Sequence, residues 1–74
     1  MGMYRNDLLR AGVAHLREFG YPHCDSSNIT TDMVYRRFFQ SMLEGTIEDK
    51  RASDLVKNDC RQLLEEINKA GEGA

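Results

Sequence analysis

Four side chains in this 74-residue chain are of the kinds that hold zinc or build a nucleophile: His15, His23, Cys24 and Cys60. Zinc sites in small proteins draw on Cys or His pairs a few residues apart, which lets one short segment supply two corners of a tetrahedron. Here His23 and Cys24 are adjacent, and no CxxC or HxxxH spacing occurs. No metal is expected. A Cys–His nucleophile would need a thiol whose pKa is lowered by a helix N-terminus or a nearby cation. Nothing in the sequence marks such a setting for Cys24 or Cys60, and so short a chain leaves little room for a substrate pocket. His15 and Cys60 fall instead on apolar arcs of different helical stretches, which reads as a core histidine and a small buried thiol. Both cysteines are expected to be free.

Other chemistry meets similar objections. The stretch from Asp25 to Asp32 has the oxygen-rich look of a calcium loop. An EF-hand needs Gly at its sixth position and Glu at its twelfth, and those places hold Thr30 and Arg36. Arg36 and Arg37 lie on the outer half of one helical stretch, and Arg5, Arg10 and Arg17 lie on another. Helix-turn-helix domains are often three-helix units of this size. A net charge of -2, with Asp54, Asp59, Glu65 and Glu66 on the outer side of the third helix, works against phosphate contact. Nucleic acid is therefore not an expected partner, and a helix-turn-helix-like DNA-binding regulator is kept as the alternative. The turn Gly20-Tyr21-Pro22-His23-Cys24 is the place where an aromatic ring and a histidine meet solvent together. Loops carry binding function and Tyr is favoured at interfaces. Tyr21, Pro22 and His23 are thus candidate partner-binding residues, against the alternative that Tyr21 and Pro22 only lid the bundle. No nucleotide or cofactor motif is present, so no cofactor and no enzymatic activity are expected.

The elements that position these residues are easier to read. From Ile29 to Gly45 the apolar residues Val34, Tyr35, Phe38, Phe39, Met42 and Leu43 share about half of a helix circumference. Asp32, Arg36, Arg37, Gln40, Ser41 and Glu44 take the other half. The spacing predicts a helix over about 30–44, with Thr30 as N-cap, an Ile29–Val34 staple and Gly45 as the stop. Phe38 sits well inside the apolar arc and is the expected core anchor. The first helix is expected over about 3–19, with Leu8, Leu9, Gly12, Val13, Leu16 and Phe19 inward. Gly12 inside that arc implies close approach of a neighbour. Gly20 at a left-handed C-cap, with Tyr21 folding back on Leu16 and Pro22 blocking continuation, ends the first helix. The third is expected over about 51–69, capped by Ser53 or Thr46, with Ala52, Val56, Cys60, Leu63, Leu64 and Ile67 inward and Arg61–Glu65 and Glu65–Lys69 pairs outward. Positions 70–74 read as a disordered tail.

Three amphipathic helices with short connections must bury their stripes against one another, so the expected fold is an all-α three-helix bundle in one domain, 1–74. Hydrophobic content of 41% with 30% charged residues fits a globular protein. No apolar run is long enough to span a membrane, and the first residues lack the apolar core of a signal peptide, so a cytoplasmic protein is expected. Two neighbouring helices in so small a bundle leave Tyr35, Phe39 and Leu43 incompletely covered. Such a patch points to a homodimer or to a partner protein, and it adds Tyr35 and Phe39 to the candidate binding residues.

The turn Phe19-Gly20-Tyr21-Pro22-His23, followed by the helix Thr31-Asp32-Met33-Val34-Tyr35-Arg36-Arg37-Phe38-Phe39-Gln40-Ser41-Met42-Leu43, resembles a group of small uncharacterised helical proteins encoded by bacteriophages and prophages. The resemblance runs from about Leu8 to Leu64 and is carried by a turn and an aromatic face. The charged connector over 46–51 is where the chain departs from the group. The resemblance implies a phage context, with a host or phage protein as partner, host cytoplasm as location and modulation of a host enzyme or defence system as role. It carries over no catalytic residue.

Overall fold

The computed structural model describes residues 4–72, in which three α-helices follow one another: α1 (Arg5–Phe19), α2 (Met33–Glu48) and α3 (Asp54–Glu72). Among the described residues there is no strand, and all three helices pack together as an all-α three-helix bundle. The expected first residue of the first helix, Met3, lies outside the described residues, as do 73 and 74 of the expected tail. The rest of that tail differs from expectation, because α3 carries on through 70–72.

α1 ends as its sequence predicts. Gly20 takes φ 127°, a left-handed conformation that costs a Cβ-bearing residue dearly. The Gly20 N–H donates to the Arg17 carbonyl (3.3 Å) and the Tyr21 N–H reaches back to the Leu16 carbonyl (3.0 Å), the paired bonds of a Schellman turn.

α2 differs from expectation at both ends. Its N-cap is Asp32, not Thr30: one Asp32 carboxylate oxygen accepts from the Val34 N–H (2.9 Å) and the Tyr35 N–H (3.2 Å). An Asp cap adds a negative charge at the positive end of the helix dipole, which a Thr cap lacks. The later start also dissolves the Ile29–Val34 staple. Ile29 goes fully into the core, and Val34 stays 46% exposed. At the other end α2 runs through Gly45 to Glu48. Gly45 faces open space, so a helical backbone meets no obstacle there. The Thr46 hydroxyl donates to the Met42 carbonyl (3.0 Å), and Ile47 packs on the core, which holds the extra turn in place.

α3 starts later than expected. Ser53 is its cap, with its hydroxyl oxygen accepting from the Val56 N–H at 3.3 Å. Lys69 pairs with Glu65 at 3.8 Å as its spacing predicts. Arg61 turns instead to the Asn58 side chain, donating at 2.9 Å.

The core joins Leu9 and Leu16 of α1, Phe39 and Leu43 of α2, and Cys60, Leu63 and Ile67 of α3. Cys24 and Ile29 of the first connector complete it. Burying a Phe or Leu side chain is worth about 1.5–3 kcal/mol, so this cluster dominates the stability. Phe39, 1% exposed, is its largest side chain. Phe38, the expected anchor, is only half-buried. The helix turns 100° per residue, and the arc centre falls on Phe39 once α1 lies across it. A Cβ at Gly12 would stand 2.6 Å from Phe39 Cδ1 and 2.8 Å from Ile29 Cδ1, so the expected close approach is real. His15 is exposed rather than a core histidine. Asp59 is a reversal of the opposite kind: expected on the outer side of α3, it is 7% exposed, and Oδ2 accepts from the Tyr4 N–H at 2.8 Å.

Candidate functional site

The Schellman turn at Gly20 decides what happens at one end of the bundle. It leaves Phe19, the last residue of α1, pointing along the surface, and throws Tyr21 back across α2. Four rings meet as a result. Phe19 lies 5.0 Å from Phe38 and 6.1 Å from Tyr21. Tyr21 lies 5.5 Å from Phe38 and 5.6 Å from Tyr35. Three of the four pairs are tilted or edge-on, the arrangement that sets a ring's positive edge against its neighbour's negative face. Tyr21, Tyr35 and Phe38 are half-buried, while Phe19 keeps 62% of its surface exposed. Val34, one turn before Phe38 on α2, extends the apolar surface.

The connector that follows Tyr21 is held by its own polar side chains. Arg17 Nε donates to the Cys24 carbonyl at 2.8 Å. Asp25 Oδ1 accepts from the Ser27 N–H (2.8 Å) and the Asn28 N–H (3.1 Å), and Asn28 Oδ1 accepts in return from the Asp25 N–H (2.8 Å). That reciprocal pair has the logic of a capping box, and it starts a helical turn in which the Ile29 N–H donates to the Asp25 carbonyl at 3.0 Å. Hydrogen bonds from Ser27, its hydroxyl first and then its backbone, pull the Asp25 carboxyl below the usual range. The turn drives Cys24 and Ile29 inward and so fixes the platform on which Tyr21 rests.

The sequence-derived candidates are thus sorted by burial. Tyr21 and Tyr35 share the ring cluster, and Pro22 and His23 lie exposed beside Tyr21 in the chain. Phe39 does not belong with them. It is sealed beneath Gly12 and Ile29, and Leu43 is equally enclosed. The uncovered Tyr35–Phe39–Leu43 patch does not exist, and the area argument for a homodimer loses its premise. α1 and the inward-folded connector supply the cover that two straight helices could not. Sequence reasoning missed Phe19 and Phe38 as surface residues because both fall in apolar arcs. The signal that would have found Phe19 is its place directly before the left-handed glycine, where the helix axis ends and its inward face is no longer roofed.

Neither thiol sits in a setting that would activate it. Burial pushes Cys24 up, Asp25 adds to the effect, and Arg17 opposes it. Burial likewise raises Cys60, with Asp59 adding and Arg61 opposing. Both stay protonated near neutrality, and both are closed to solvent. Burial also raises the Tyr35 phenol, with Asp32 adding, so this hydroxyl is a neutral donor. Among the described residues no three His, Cys, Asp or Glu side chains converge as metal ligands would. Nor do the described helices include one long and apolar enough to cross a membrane. Of the basic residues, Arg5, Arg51 and Lys69 each stand against a carboxylate in an exposed ion pair.

Set beside known protein families, curated proteins and solved structures, the chain matches none of them.

Proposed function

We propose that this chain acts by binding another protein through the ring cluster of Phe19, Tyr21, Tyr35 and Phe38, flanked by Val34, Pro22 and His23. The carrying observation is that Phe19 leaves most of its ring in water while being braced by Phe38 and Tyr21. A braced aromatic loses little conformational freedom on binding, and rigid aromatic anchors are where interface energy concentrates. The Tyr35 and Tyr21 hydroxyls add donors at the rim. The resemblance to phage-encoded proteins gives the reading its setting: a host or phage protein as partner, in the host cytoplasm, with modulation of a host enzyme or defence system as the role. A homodimer closing over the same rings is the other way to cover them, and sedimentation equilibrium over a wide concentration range tells the two apart.

The test uses Phe19→Ser and Val34→Ser. Val34 lies outside the ring pairs, so Val34→Ser should melt close to the parent, whereas Phe19→Ser gives up its contacts with Phe38 and Tyr21 and should stay folded with a somewhat lower melting temperature. A partner captured by the parent chain, once purified, should bind Phe19→Ser about tenfold or more weakly, as loss of an interface anchor does. Unchanged affinity in both variants sinks the proposal. Duplex DNA binding that falls steeply with salt would replace it with the regulator reading.

A further inference from the structure

A groove of about 310 Å³ runs along the flank of α1 that faces away from the aromatic cluster. Nine residues at 100° each put Arg10 half a turn from Phe19, so the two features share no side chain. Arg10, Val13, Ala14 and Arg17 line the groove from α1, and Asp25 and Ser26 close it from the first connector. Two arginines against one aspartate make it positive, on a chain whose net charge is -2. The aspartate is already engaged, because Asp25 Oδ1 accepts from the Ser27 and Asn28 N–H groups. The arginines are not. Arg17 is pinned through Nε, which donates to the carbonyl of the fully buried Cys24 at 2.8 Å. Its two terminal nitrogens have no hydrogen-bond or ion-pair partner among the described residues, and neither has the exposed Arg10 side chain. A guanidinium held at Nε presents its outer edge as a fixed fork.

We propose that this groove docks an acidic amphipathic helix of a partner protein, with two carboxylates seven positions apart and apolar side chains between them. Charge complementarity names the carboxylates, since a guanidinium fork takes one through two parallel hydrogen bonds. Val13 and Ala14 supply an apolar floor between the two cations, and the small Ala14 leaves room above it for a partner's side chain. The spacing selects a helix. Arg10 and Arg17 stand about 10.5 Å apart along the α1 axis, at 1.5 Å per residue. A second helix laid alongside repeats that step between its own positions i and i+7, and sets i+3 and i+4 over Val13 and Ala14. An extended strand presents same-side residues about 6.6 Å apart, so its carboxylates would fall at about 7 or 13 Å and match the pair less well.

The experiment is a backbone-amide NMR titration of the intact chain with synthetic alanine-rich helical peptides at constant ionic strength. The test peptide carries two glutamates seven positions apart with two leucines between them. Its controls carry lysines in place of the glutamates, or the same glutamates five positions apart, and inorganic phosphate serves as a free anion. Saturable shifts centred on Arg10, Val13, Ala14, Arg17 and Ser26 are expected from the test peptide, with clearly weaker responses to all three controls. Arg10→Gln should bind it about tenfold or more weakly, the usual scale for a charge-assisted hydrogen bond. Ala14→Leu keeps every charge and a good helix former but fills the floor, so it should weaken binding as well. Both positions are exposed, so both variants should fold like the parent. The proposal is overturned if phosphate reproduces the shifts, if either control peptide binds as well as the test peptide, or if both variants bind like the parent.

Discussion

The two connectors of this bundle are built on opposite plans. The one between α1 and α2 folds back into the protein, burying Cys24 and Ile29 completely and carrying Tyr21 to the aromatic surface. The one between α2 and α3 spans 49–53 and lies at the surface, fastened locally: the Ala52 N–H donates to the Asp49 carbonyl at 3.2 Å, and Arg51 turns back on the Asp49 carboxylate. Both use an aspartate to gather nearby donors. Only the first uses that aspartate to aim side chains inward. A short link can leave two helices antiparallel with no core residue of its own, whereas the longer one supplies part of the roof over Phe39. Connector length here is a packing decision as much as a topological one.

The sharpest break of this comparison is a truncation in each connector. Ile29→Ala should destabilise the fold by about 2–5 kcal/mol, the range for deleting a fully enclosed aliphatic side chain. Lys50→Ala in the second connector should stay within about 0.5 kcal/mol of the parent, as exposed substitutions do. Denaturant unfolding of both variants reads the difference. Equal, small losses would mean that the inward fold of the first connector adds nothing.

A second, smaller effect follows from acid. The Asp25 carboxyl is held below its ordinary pKa by Ser27 and then by Asn28, and the Asp49 carboxyl by Arg51, its backbone first. For a group depressed in the folded state, the stabilisation is complete above the unfolded pKa, near 4, and disappears as pH falls through the lower folded value. Melting temperature should therefore drop as pH is taken from 6 towards 3. Asp25→Asn should flatten that drop more than Asp49→Asn does, because only the first carboxylate organises a connector that carries core residues. Identical pH profiles for the two variants would show that the connectors respond alike.

The smallest expected effect concerns where the second connector begins. Gly45 lies inside α2 with open space where a Cβ would stand, and Asp49 is the helix's C-cap. Gly45→Ala should then stabilise by about 0.4–1 kcal/mol, through a less flexible unfolded chain and better helix propensity. A destabilised variant would show that the helix does stop at Gly45.

Gly45 also marks the limit of what the residues disclosed beforehand. The helix count, the left-handed Gly20, the tight contact at Gly12 and, apart from Phe19 and Asp59, the inward faces of α1 and α3 could be read from periodicity and turn chemistry, because those features are local. Asp25 and Asn28 carried a legible capping signal that the comparison with a calcium loop passed over. The burial of Asp59 had none: its partner is the Tyr4 N–H, 55 positions away in sequence, and no local pattern reports such a contact. The aromatic site was half legible for a related reason. Tyr21 belongs to a turn with a known path, while exchanging Phe38 for Phe39 as the core anchor required knowing where α1 crosses α2.

That crossing has a further consequence. Phe39 occupies a slot in α1 that exists only because position 12 lacks a side chain. Rotating α1 by one residue would present Ala11 or Val13 to the ring, 100° around the axis, and sliding it by one turn would present Leu8 or Leu16. Every neighbouring alignment puts a Cβ where the ring now sits. The missing methyl therefore acts as an index mark: it selects one register for α1 among several of similar apolar character, and with that register it selects where Phe19 emerges on the surface.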